Sequence, residues 1–159
     1  KGFINRKNLR GSWAGAIGQT QFMPSTFINF AEDFDGDGKK DLLNNKDDAL
    51  ASGANYLNKL GWNNNLDWGE RVYPNEKIQH LNDLSNNKVY KSQSYWKEVG
   101  FSLNKNYGNE KLRLVIPDNT SSYFFLVSKN FDIILNWNRS NYFALAVNIL
   151  SDKIKLNEK

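Results

Sequence analysis

The sequence has no cysteine, one histidine, one methionine and three prolines in 159 residues. Without cysteine there are no disulfides and no thiolate metal sites. His80 alone can build neither a histidine-rich metal centre nor a Ser-His-Asp triad, and it reads as a surface residue. No apolar run approaches the roughly 20 residues that cross a bilayer; the longest lies around Tyr123 to Val127. Internal repeats and low-complexity segments are absent, and charge is not gathered into blocks. The 21 basic and 17 acidic residues give net +4, which is compatible with an anionic partner and specifies none; no nucleic-acid partner is expected. The chain opens "KGFINRK", with neither an initiator methionine nor a signal peptide. It therefore reads as processed or as a fragment, and the compartment stays open.

At this length one domain, residues 1–159, is the default, large enough to bury a core without covalent staples. Pro24 suits the first turn of a short helix, with Phe27, Ile28 and Ala31 on its apolar side. In "DALASGANYLNKLGW", Asp47 or Asp48 can cap a helix. Leu50, Gly53, Ala54, Leu57 and Leu60 recur along it at helical spacing, and Gly61 ends it. From Asn63 to about Asn109 the pattern weakens, with "DWGERVYP" as one strand and little helix expected. "KLRLVIPDNTSSYFFLVS" alternates at Leu112, Leu114 and Ile116, turns near Asp118 to Ser121 and resumes at Tyr123 to Val127, the pattern of an antiparallel hairpin. A last helix is capped by Ser140 and carries Phe143, Val147, Leu150 and Ile154 on one face. Helices at both ends with strands between them predict an α+β domain.

"DFDGDGKKD" places carboxylates at Asp33, Asp35, Asp37 and Asp41, with Gly38 after the third. These match positions 1, 3, 5 and 9 and the turn glycine of an EF-hand loop, with the Lys39 backbone carbonyl at position 7. Hard oxygen donors at that spacing suit Ca²⁺. Asn44 stands where the loop normally ends on a bidentate Glu, so Asp47 or Asp48 would have to close the site. The alternative is a solvated acidic turn. A bound ion would have a structural role, pinning the helix after Pro24 to the helix starting near Ala49.

"GSWAGAIGQTQFMPSTF" remains. Gly11, Gly15 and Gly18 recur at spacings of four and three, a ridge that lets a helix or a sugar ring approach the backbone. Gln21, next to Phe22, can both donate to and accept from a hydroxyl-rich ligand. Taken with "DFDGDGKKDL", "DALASGANYLNKLGW" and "NFDIILNWNRSNYFALAV", in that order, this block resembles the B-type membrane-bound lytic murein transglycosylases. The resemblance extends from residue 11 nearly to the end of the chain.

The resemblance implies a lysozyme-like, mainly helical α+β fold with a small antiparallel hairpin region and one EF-hand-like loop. It also implies cleavage of the β-1,4 bond between N-acetylmuramic acid and N-acetylglucosamine, the muramic acid C6 hydroxyl attacking to leave a 1,6-anhydro ring. Glycan contacts carry over to Ser12, Gln21, Asn55, Tyr56 and Asn138, with Trp137 and Tyr142 beside the last. Structural Ca²⁺ carries over to Asp33, Asp35, Asp37, Lys39 and Asp41, with Asp48 as the closing carboxylate. The implied partner is the peptidoglycan glycan strand, met by a monomer in the bacterial periplasm. Outer-membrane association would come only through a lipid anchor outside this chain.

A lytic transglycosylase needs one carboxyl group, first as acid and then as base. None of Glu32, Glu70, Glu76, Glu98, Glu110 and Glu158 matches the family's motif. The catalytic Glu is expected upstream of Lys1, which makes this chain the C-terminal part of a catalytic domain. The alternative is a complete, calcium-stabilised, non-catalytic peptidoglycan-binding module.

Overall fold

The computed structural model describes residues 10–75, 78, 81–86, 88–118 and 122–157. His80, Glu76, Glu158 and residues 119–121 of the turn predicted near Asp118 to Ser121 lie outside them. The chain divides into two compact units, Lys1–Trp62 and Asn63–Lys159.

In the first unit the glycine block is a bridged turn rather than a helical ridge. Gly15 and Gly18 have φ of +88° and +71°, left-handed values that a right-handed helix cannot contain. Gly11 bridges Ile17, and Ile17 bridges Phe22. The close approach expected of these glycines is made at Gly18 by the protein's own backbone. A Cβ there would lie 2.6 Å from the Leu42 carbonyl oxygen, which accepts from the Gln19 N–H at 2.8 Å.

Helix α1 runs Pro24–Phe30 with Pro24 in its first turn, as the sequence indicates. Helix α2 runs Lys46–Lys59 and is capped by Asn45, not by Asp47 or Asp48. The Asn45 side-chain oxygen accepts from both of their backbone amides, at 2.9 and 3.3 Å. Asn45 has the extended backbone a cap requires, and the two aspartates fall in the first turn, where negative charge suits the helix N-terminus. The buried face also differs from the expected one. It carries Asp48, Ala49, Ser52 and Gly53, while Leu50 is 73% exposed. Two side chains of α2 bond to the end of α1 and the residues just past it: the Glu32 N–H donates to Ser52 Oγ at 2.8 Å, and the Asn55 amide donates to the Phe30 carbonyl at 3.0 Å. Gly61, just beyond the helix end, has φ of +95°.

The second unit is built on a four-stranded sheet in the order β2-β1-β4-β3, antiparallel throughout. Its strands are β1 (Gly69–Pro74), β2 (Phe101–Ser102), β3 (Arg113–Val115) and β4 (Phe124–Val127). The predicted hairpin is β3 and β4, with Leu114 opposite Leu126, and the predicted strand "DWGERVYP" is β1. Gly69 permits the pairing of β1 with β4, since a Cβ there would sit 2.4 Å from the Leu126 carbonyl oxygen. Helices α3 (Leu81–Asn86) and α4 (Gln93–Val99) are short, consistent with the low helix content expected there. Ser92 caps α4, and Gly100 ends it with φ of +109°.

Alternate residues divide the sheet into two faces. Val72, Leu114 and Leu126 face a core built with Trp96, Phe101, Tyr107 and Leu112. The opposite face carries Arg113, whose guanidinium pairs with Asp132 and lies 5.4 Å from the centre of the Phe131 ring. Tyr90 donates its hydroxyl to the same carboxylate. Burial first, then this contact with Asp132, pushes the Tyr90 phenol well above its ordinary pKa. The Arg113 side chain is buried and Asp132 half-buried, and the pair ties α5 to the sheet.

Helix α5 (Lys129–Trp137), which the hydrophobic pattern did not single out, buries Asn130, Phe131, Ile133 and Ile134. Asn130 closes the entry to the unit, accepting from the Asn63 N–H and donating to the Asn63 and Leu66 carbonyls. Helix α6 (Asn141–Asn157) begins at Ser140, whose Oγ accepts from the Phe143 N–H at 3.3 Å. Its buried residues are Ala144, Leu145 and Asn148. The expected Phe143, Val147, Leu150 and Ile154 stripe points elsewhere, and Leu150 is 59% exposed. No described helix is long and apolar enough to cross a membrane.

Candidate functional site

The acidic loop is shaped by its own carboxylates. Asp33 accepts from the Gly36 and Gly38 amides at 2.9 and 2.8 Å, Asp35 from the Asp37 amide at 3.1 Å, and Asp37 from the Lys39 amide at 2.8 Å. These turns need Gly36 and Gly38 at positive φ, +75° and +85°. They leave one carboxylate oxygen each from Asp33, Asp35 and Asp37 within 4.8 Å of one another. Three like charges at that separation repel in the absence of a cation, and the donor set is all oxygen, which fits Ca²⁺. Asp48 is fully buried and braces the loop at both ends, accepting from the Phe34 and Asp41 amides at 2.8 Å each.

Asp41 is held by Asn44. Burial raises its carboxyl pKa, but hydrogen bonds from the Asn44 side chain and from the Asn44 and Leu43 amides, helped by Lys39, outweigh burial and leave it below the ordinary value. The Lys39 ammonium lies 3.7 Å from the Asp37 carboxylate. Asn45, which the sequence reading passed over, links loop to helix: it caps α2 and donates to Asp35 at 2.7 Å. An asparagine directly before the apolar-periodic stretch was the available signal.

Of the predicted glycan-contacting residues, Ser12, Gln21, Asn55 and Tyr56 belong to the first unit and Trp137, Asn138 and Tyr142 to the second. Gln21 is exposed at φ +51°, and its side-chain N–H donates to the Gly18 carbonyl at 2.8 Å. A non-glycine residue in that backbone region is uncommon, and such strain gathers at functional sites. Ser12 is exposed and its Oγ accepts from the Ala16 amide. Tyr56 is half-buried, packed 5.6 Å from Phe22 and edge-on to Phe30 at 5.0 Å. Burial raises its phenol pKa.

Trp137, Asn138 and Tyr142 gather at the corner between α5 and α6. Trp137 is the last residue of α5 and half-buried, Asn138 is its C-cap, and Tyr142 lies in the first turn of α6, 55% exposed. Asn138 Oδ1 accepts from the Ser140 N–H at 3.1 Å, and Tyr142 donates to Asp118. Tyrosine, tryptophan and amide side chains at such a corner offer flat apolar faces and paired donors and acceptors. Among the described glutamates, Glu32, Glu98 and Glu110 are exposed. Glu70 is buried, with its oxygens accepting from the Asn104 and Lys105 amides at 2.8 and 2.9 Å; it is a structural carboxylate.

Comparison with known proteins gives a consistent picture. The model of the family described as "Transglycosylase SLT domain" matches residues 1–152. Membrane-bound lytic murein transglycosylase B of Escherichia coli (strain K12) is 33% identical over 153 residues, 94% of this chain and 40% of that protein. SltB3 from Pseudomonas aeruginosa, solved in complex with NAG-anhNAM-pentapeptide, superposes with a TM-score of 0.88 at 38% identity, over 97% of this chain and 42% of that one. The Escherichia coli lytic transglycosylase SLT35 in complex with calcium gives 0.76 at 31% identity, over 94% and 47%. The chain therefore spans less than half the length of these relatives.

Proposed function

Since the chain belongs to the transglycosylase SLT domain family, we propose that it is the glycan-holding part of a peptidoglycan lytic transglycosylase, built around a structural Ca²⁺ loop. One observation carries this reading. Over 97% of its length the chain shares fold and 38% identity with a protein solved with NAG-NAM-pentapeptide, at a TM-score of 0.87. In this reading Ser12, Gln21, Asn55 and Tyr56 from the first unit, and Trp137, Asn138 and Tyr142 from the second, read the N-acetyl and hydroxyl groups and stack on sugar rings.

Asp33, Asp35 and Asp37 would hold the ion, with the Lys39 carbonyl and Asp41 completing the loop and Asp48 closing it. Its contribution when bound is neutralisation of clustered charge. The Asp48 contacts to Phe34 and Asp41, and the Asn45 contact to Asp35, then transmit that order to α2. The bond to be cleaved is the MurNAc-GlcNAc β-1,4 linkage. The single acid-base carboxyl this chemistry needs is assigned to a glutamate upstream of Lys1, since no described glutamate lies in the glycan-contacting blocks. A monomeric, periplasmic enzyme, held at the outer membrane by a lipid where it is held at all, completes the proposal.

Gln21→Ala tests the site. The substitution removes the side-chain amide together with its bond to the Gly18 carbonyl, while the backbone bridges of Ile17 to Gly11 and to Phe22 remain to hold the turn. Affinity for a peptide-free GlcNAc-MurNAc tetrasaccharide, read by titration calorimetry, is expected to fall about tenfold, the order of one or two hydrogen bonds. An unchanged affinity would remove Gln21 from the glycan-contacting set.

A further inference from the structure

On the sheet face that carries Gly69, Arg71 and Tyr73 from β1 opposite Val127 and Phe125 from β4, a cleft of about 590 Å³ opens beside α6. Trp68 and Phe125, with ring centres 6.5 Å apart, supply its buried apolar part. Ile149 of α6 and Tyr123 are its exposed apolar rim. The volume is that of a small-ligand site.

All but one of the charged groups here are already engaged. Both Glu70 oxygens accept backbone amides. Asp152 accepts from the Trp68 indole N–H at 2.9 Å. The Lys105 ammonium donates to Asp67 at 2.8 Å and to the Gly69 carbonyl at 3.2 Å. Arg71 makes neither a hydrogen bond nor an ion pair among the described residues. Its guanidinium carbon lies 4.3 Å from the centre of the Tyr123 ring and 5.0 Å from that of Tyr73. Stacking occupies the guanidinium face and restrains its rotamers, while the N–H fork in its plane stays available. A preorganised fork of that kind fits a carboxylate bidentately.

We propose that this cleft binds the free C-terminal carboxylate of a short peptide with small apolar side chains. Arg71 takes the carboxylate, and the Trp68, Phe125 and Ile149 surface takes the methyl groups. Identifying the source as the peptide stem of peptidoglycan rests on the function proposed above; the carboxylate chemistry does not. The site would let the sheet of the second unit discriminate stemmed from bare glycan.

The test is an NMR titration of the chain with N-acetyl-Lys-D-Ala-D-Ala and with its C-terminal amide, following the Arg71 Nε–H and Trp68 indole resonances. The free acid is expected to give a saturable shift, with the amide at least tenfold weaker. Arg71→Gln should weaken the acid at least tenfold, and Arg71→Lys by a smaller factor, because an ammonium keeps the charge and loses the fork. Both substitutions should leave binding of the peptide-free tetrasaccharide unchanged. Equal affinity for acid and amide, or an Arg71→Gln protein that binds the acid normally, would overturn the site. If the tetrasaccharide binds and the acid does not, the site falls and the glycan reading stands. If the acid binds through Arg71 and the tetrasaccharide does not, the carboxylate site stands and the glycan reading falls.

Discussion

Adding 10 mM Ca²⁺ to the metal-free chain is expected to slow amide exchange in α2 about 100-fold. The magnitude follows from mass action. A single loop of this type, without the bidentate Glu that ends a sensor loop, belongs with weak sites of Kd about 10⁻⁴ M. Ligand at about 100 times Kd stabilises the binding-competent state by about 2.7 kcal/mol. The effect should centre on α2 because Asp48 and Asn45 sit in or next to its first turn and bond directly to the loop at Phe34, Asp41 and Asp35. Asp33→Asn should abolish the difference, since Asp33 both supplies an oxygen to the cluster and folds the loop through Gly36 and Gly38. Identical exchange with and without Ca²⁺ would reduce the loop to a solvated acidic turn.

Trp96→Ala is expected to destabilise the second unit by about 3–5 kcal/mol, the usual cost of deleting a buried aromatic side chain. Trp96 is fully buried at the centre of the sheet core, edge-on to Tyr95 and to Phe101. Its indole N–H donates to the Leu112 carbonyl at 2.9 Å. That carbonyl also accepts from the Lys91 N–H at 2.8 Å, so the substitution leaves a cavity rather than an orphaned acceptor. Trp96→Phe should cost much less, because most of the volume remains. Urea unfolding followed by far-UV circular dichroism measures both. A loss below about 1 kcal/mol for the alanine would mean that the core collapses into the space.

What the sequence disclosed and what it concealed have separate physical causes. Pro24 and the alternation around Leu114 are local signals, and α1 and the β3–β4 pair stand where those signals placed them; of the 33–41 carboxylates, Asp33, Asp35 and Asp37 come together while Asp41 is bonded to Asn44. The buried faces of α2 and α6 differ from the apolar stripes because tertiary contacts, not residue size or periodicity, set which side of each helix turns inward. Along α2 the buried positions are Asp48, Ala49, Ser52 and Gly53, and Leu50 is left outside. Along α6 the buried positions are Ala144, Leu145 and Asn148, and a distant pairing of Asp152 with Trp68 fixes the rotation of the helix.

Helix α5 has a local cap in Ser128, which accepts from the Asn130 amide, but a buried polar residue interrupts its apolar pattern. Its buried asparagine is satisfied by Asn63 and Leu66, more than sixty residues away. The glycine block looked helical by spacing and is not, because the sign of φ at Gly15 and Gly18 is invisible to periodicity. The family-bearing residues were legible as blocks, while the free fork of Arg71 required the structure: only there is it clear that Glu70, Asp152 and Lys105 are already engaged.

Native mass spectrometry of the folded chain with Ca²⁺ and a GlcNAc-MurNAc tetrasaccharide reads the glycan-holding role without an intermediary, since it weighs the protein, the ion and the sugar together. The expected result is a stoichiometric adduct in which the chain carries Ca²⁺ and an intact tetrasaccharide. A chain that carries no tetrasaccharide would contradict the glycan-holding role, and one that carries 1,6-anhydro products would place the acid carboxyl within residues 1–159.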